Sequence, residues 1–86
     1  MIHKKAKKVF RGNLIRLMEE AGINGAQLSR RLNYHPSTVS TYTNGKEFPR
    51  IPALWMIARA LNTTMDELMK GYTEDDYYED MVEAQE

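Results

Sequence analysis

The side chains able to do covalent chemistry are few and badly placed for it. Cysteine is absent, which removes thiolate nucleophiles, disulfides and thiolate metal ligands. The two histidines are His3, in a basic start, and His35, in a turn. No nucleophile is paired with a base, no metal-ligand spacing repeats and no glycine-rich phosphate loop occurs. Asp75, Asp76, Glu79 and Asp80 fall at helical spacing and could hold a hard cation loosely, but such a group usually forms a solvated acidic face. No enzymatic activity, cofactor or metal is therefore expected. What remains is hydrogen-bonding and ionic chemistry. Ser37, Ser40, Thr41 and Asn44 lie close together, with Arg30, Arg31, Lys46 and Arg50 on either side.

Charge points the same way. The chain has 86 residues and a formal net charge of zero. Residues 1–71 hold all 12 Lys and Arg against five acids, a balance of +7. Residues 72–86 hold seven acids and neither Lys nor Arg, a balance of −7. The chain thus divides into a basic body over 1–71 and an acidic segment over 72–86. A basic body suits a polyanionic partner. The length allows one small domain, which must be held by packing alone, favouring compact helices or a dimer. No run approaches the ~20 apolar residues needed to span a bilayer, and the basic start lacks the apolar core of a secretory signal. A cytoplasmic protein with no membrane partner is expected.

The elements that position these groups read as helices, and the expected fold class is all-α. Val9, Phe10, Leu14, Leu17, Met18 and Ala21 recur at steps of three and four, predicting a helix from about Lys5 to Glu20, with Gly22 as its stop. Lys4, Lys5, Lys7 and Lys8 read equally as its first turn or as a basic arm. Leu28 and Leu32 mark a short second helix. Pro36 suits the first position of a third, running to about Thr43 with Val39 and Tyr42 inward. A fourth opens at Pro52 and faces Leu54, Ile57, Ala58 and Leu61 inward, leaving Trp55 and Met56 off the stripe. Thr64 caps a fifth, with Glu67 at capping-box spacing. Thr73 followed by three acids resembles another cap. Beyond it, Tyr77, Tyr78, Met81, Val82 and Gln85 form either the stripe of a sixth helix or part of a frayed tail.

The second and third helices must cross closely. That needs a small residue at the crossing (Ser29), a residue tolerant of positive φ in the turn (Asn33), and inward apolar groups on both helices (Leu28, Leu32, Val39 and Tyr42). With these residues on the page, the stretch over 10–71 resembles the helix-turn-helix domain of the phage repressor and Cro family, also called the XRE family. The resemblance is carried by Asn13-Leu14-Ile15-Arg16-Leu17, Ala26-Gln27-Leu28-Ser29, Ser37-Thr38-Val39-Ser40-Thr41-Tyr42, Asn44-Gly45-Lys46 and Ile57-Ala58-Arg59-Ala60-Leu61 in that order. It implies a compact five-helix repressor-like domain, to which the acidic segment adds a sixth helix if it is ordered.

The resemblance also implies double-stranded DNA as partner, a recognition helix over 36–44, base-facing positions at Pro36, Ser37 and Thr41, and a backbone contact at Asn44. Ser40 joins the outward set. Arg30, Arg31, His35, Lys46 and Arg50 complete the candidate phosphate contacts. Three positions depart from the family pattern. Gly25 replaces a phosphate-binding Gln, Asn33 replaces a Gly, and His35 stands where Ser or Thr often caps the recognition helix. Short hydroxyls discriminate bases weakly, so shape readout or two half-sites read by a homodimer should add specificity. Trp55, Tyr77, Tyr78, Met81 and Val82 are the candidate dimer surface. The expected activity is that of a transcriptional regulator, a repressor acting by occlusion. The rival reading is an antitoxin-like or adaptor module whose acidic end binds a protein partner. In a third, that end covers the DNA face.

Overall fold

A computed structural model describes residues 3–84. Six helices follow in order, with no strand among the described residues: α1 (Lys4–Ala21), α2 (Gly25–Leu32), α3 (Pro36–Thr43), α4 (Ile51–Ala60), α5 (Met65–Leu68) and α6 (Glu74–Ala84). The basic start is thus the first turn of α1 from Lys4 onward, not an arm. Gln85 lies outside the described residues.

Local signals account for most boundaries. Gly22 takes φ 67° and its N–H closes onto the Glu19 and Met18 carbonyls. Asn24 and Gln27 form a reciprocal capping box at the start of α2. Asn33 adopts the left-handed conformation (φ 57°) that the turn requires. Thr64 accepts from the Glu67 N–H at 3.1 Å, but the Glu67 carboxylate reaches Arg16 at 3.6 Å instead of closing the box. Thr73 and Asp76 exchange both bonds of a box at 3.1 Å each, so the acidic segment is a helix from its first turn.

Phe10, Leu14, Leu28, Val39, Ile57 and Leu68 are fully enclosed, so all of α1–α5 contribute to one core. Phe10 meets Tyr42 edge-on at 6.2 Å and Phe48 at 5.4 Å. Ser29 is buried and its hydroxyl donates to the Ala26 carbonyl at 2.8 Å, which satisfies the polar atom and keeps the α2–α3 crossing narrow.

The sixth helix packs on α1 and on no other helix. Its anchor overturns one expectation: Asp80 is not part of a solvated acidic face. Its carboxylate accepts from the backbone N–H groups of Lys5 (2.7 Å) and Ala6 (3.1 Å) and from the Tyr72 hydroxyl (3.1 Å). The first N–H groups of any helix lack partners within it and carry partial positive charge. His3, at the N-cap position, supplies no side-chain bond, so Asp80 does so from the far end of the chain. Burial by itself would push the Asp80 carboxyl up. The Lys5 and Ala6 donors, the Tyr72 hydroxyl and the charge of His3 outweigh it and hold the group below its ordinary value. Burial, with the hydrogen bond to Asp80 and its charge, pushes the Tyr72 phenol up to about 12.

Candidate nucleic-acid interface

α3 presents two faces of different chemistry. Val39 and Tyr42 point into the core, while Pro36, Ser37 and Ser40 are exposed. Thr41 is only half-exposed, and its hydroxyl donates to the Thr38 carbonyl at 2.6 Å, so toward a ligand that oxygen acts as an acceptor. The departure at His35 has a structural answer. Its Nδ1 accepts from the Ser37 N–H at 3.2 Å and lies 2.8 Å from the Ser37 hydroxyl. A backbone N–H only donates, so Nδ1 is the unprotonated nitrogen and Nε2 carries the proton. The ring therefore performs the capping task usually given to Ser or Thr.

The loop after α3 is tied back to it. The Thr41 carbonyl accepts from the N–H groups of Lys46 (2.9 Å) and Glu47 (3.1 Å), and the Asn44 side chain accepts from Lys46 N–H at 3.1 Å. Gly45 takes φ 77°, and a Cβ there would stand 3.1 Å from the Arg11 side chain, so this turn needs glycine. Arg11 Nε in turn donates to the Thr43 carbonyl at 2.9 Å. An exposed cation of α1 thus stands at the end of α3, a neighbour that linear spacing did not reveal.

Ser37, Thr41 and Arg50 line one open groove together with Tyr34 and Glu47. Glu47 is exposed and forms no ion pair among the described residues. The structure therefore brings an unneutralised carboxylate to the same groove as the hydroxyls and Arg50, which sequence reading overlooked. Arg30 and Arg31 are exposed and share a shallow cleft with Gln27. Arg31 spends one guanidinium N–H on the Ala60 carbonyl at 2.9 Å, tying α2 to the end of α4. These two are not among the residues lining the groove beside Ser37.

A family model for the Cro/C1-type helix-turn-helix DNA-binding domain matches residues 13–74. The chain belongs to that family. The match spans α2–α5 and the second half of α1, and ends as α6 begins. This Cro/C1-type domain is also similar to a solved structure, a transcriptional regulator from Listeria innocua, at 28% identity and a TM-score of 0.62. That alignment covers 88% of this chain and 74% of the other. Comparison with curated proteins gives no match.

Two departures of this Cro/C1-type domain from the family pattern are structurally mild. Gly25 has open space where a side chain would grow, and Asn33 reaches the conformation a glycine would have taken. The candidate dimer residues fall into two separate patches. Trp55 is 49% exposed on α4, beside Met56 and Ile51. Tyr77, Tyr78, Met81 and Val82 are exposed on α6, which does not pack against α4. Nor does α6 pack against α2 or α3. Its Glu79 instead pairs with Lys5 at 3.5 Å, so Glu79 and Asp80 lie beside the start of α1 rather than over α3. No described helix is long and apolar enough to cross a membrane.

Proposed function

We propose that this Cro/C1-type domain is a sequence-specific regulator of transcription that binds double-stranded DNA through α3, acting as a dimeric repressor on a two-half-site operator. The observation that carries the reading is the exposed Pro36, Ser37 and Ser40 face of α3, backed by buried Val39 and Tyr42 and bordered by Arg50. A helix mounted in this way fits the major groove, where hydroxyls bond base edges and cations neutralise phosphates. Arg50, Lys46 and Arg11 stand around α3 and are the leading phosphate contacts. The exposed Asn44 and His35 add further contacts. Arg30 and Arg31 form a second cationic site on α2.

Repression follows from occlusion: a protein seated on an operator blocks polymerase. The similarity to a transcriptional regulator supports the regulatory part of the reading. Enrichment of bound sequences from a random duplex pool tests it. The expected product is a half-site repeated about one helical turn away. Binding should weaken with salt, each neutralised phosphate adding ~0.9 to the slope. Recovery of an unenriched pool, with no salt-dependent binding, would sink the proposal. The exposed apolar stripe of α6 favours a second reading, a protein-binding module. That reading predicts a protein complex that forms equally well without DNA.

A further inference from the structure

We infer that two copies of this chain pair reciprocally, the outer face of α6 in each seating on the exposed face of α4 in the other. This rests on the dimeric part of the reading above and names the surfaces involved. Among the described residues, every large hydrophobic side chain left exposed belongs to one of these two helices. On α4 they are Ile51, Trp55 and Met56; on α6 they are Tyr77, Tyr78, Met81 and Val82. Contiguous apolar patches on so small a domain mark binding surfaces rather than random exposure.

Charge selects how the patches combine. α4 contains no acid, and the Arg59 guanidinium lies 4.9 Å over the Trp55 ring, in a cleft whose one acid is Asp66 of α5. α6 contains only acids among its charged residues, and Asp75 and Glu79 share a shallow cleft with Tyr78 and Val82. Two α6 faces in contact would set carboxylate against carboxylate. Two α4 faces would offer each other only the Arg59 and Asp66 of one cleft and leave the α6 patches bare. The crossed pairing sets Arg59 against the acids of α6 around two apolar centres, a complementarity of the kind specific interfaces use. The partner must also be another molecule. Asp80 holds α6 to the start of α1, and α6 does not touch α4 of its own chain. A two-fold axis then uses each contact twice, and both copies are satisfied.

The test is a charge exchange read by sedimentation. Wild-type protein at about 50 µM should sediment as a dimer, as expected for an interface of ordinary size. Arg59→Glu alone and Asp75→Lys/Glu79→Lys alone should each weaken self-association roughly tenfold or more. Mixed in equal amounts, the two variants should form a heterodimer, since both of its contacts again join opposite charges. If the double variant loses helix content, Asp75→Lys alone takes its place. A monomeric wild type, a variant that dimerises as wild type does, or a mixture that stays monomeric would each overturn the pairing. Duplex binding measured in parallel separates the two proposals. A monomer with salt-dependent binding refutes the pairing and the dimeric part of the reading but leaves DNA binding standing, and a dimer that ignores DNA refutes the DNA reading alone.

Discussion

At the scale of single residues, Asp80 joins the two ends of the chain through three hydrogen bonds and is 3% exposed. Replacing it with Asn removes the charge that faces the positive end of α1. The expected loss is about 1–3 kcal/mol, read as a drop in thermal midpoint. Its folded-state carboxyl titrates below the ordinary 3.8. Its contribution is therefore complete above that value and is lost as pH falls through the folded-state pKa. Tyr72 works in the opposite direction. Its phenol is raised from 10.0 to about 12, so its contribution is complete below pH 10 and disappears as pH rises towards about 12. Tyrosinate absorbance against pH should lose a late-titrating phenol in Tyr72→Phe, while Tyr42, also raised by its burial, stays late in both proteins. Glu47 tests the groove. Removing its charge in Glu47→Gln should tighten duplex binding roughly threefold to tenfold, measured by fluorescence anisotropy at low salt. Unchanged affinity would mean that DNA does not approach this side of α3.

At the scale of elements, α2 and α3 were largely legible in the linear pattern. Pro36 at the first position, Asn33 in the turn and the inward Leu28, Leu32, Val39 and Tyr42 all stand where short-range rules put them. The cap of α3 was not legible in advance, because a histidine caps only when its ring is turned onto the following N–H groups. His35→Ala should cost about 1 kcal/mol through the lost cap, while His35→Ser should restore most of it; urea denaturation distinguishes the two. The ambiguity at the acidic segment was resolved by the same local chemistry, the reciprocal Thr73–Asp76 box. Which side of α6 would be buried was not readable. Its apolar stripe of Tyr77, Tyr78, Met81 and Val82 is left exposed, and the side that packs is the one bearing the Asp80 carboxylate.

For the whole molecule, α6 is a structural part of the domain as well as an acidic appendage. Cutting the chain after Gly71 removes the Asp80 bonds and leaves the first N–H groups of α1 without side-chain partners. Amide exchange at Lys5 and Ala6 should accelerate in the shortened chain, and its thermal midpoint should fall, while residues of the Phe10–Leu68 core keep their order of protection. Equal exchange in both chains would show that α6 contributes nothing to α1. The separation of charge into a basic body and an acidic end is also resolved at this scale. The two meet at the Lys5–Glu79 pair beside the start of α1, away from the helix proposed to enter the groove.

The amino-acid sequence by itself determined the helical class, the order of the helices, the helix-turn-helix and the outward set on α3. Those features follow from period, caps and turn residues, whose causes act within a few positions of one another. Tertiary structure alone decided that Asp80 is a cap, that Arg11 stands behind Thr43, that Arg31 ties down Ala60, and that Glu47 shares a groove with Arg50. Each depends on a partner far along the chain, and burial or solvation of a charge is set by what folding brings beside it, not by its neighbours in sequence.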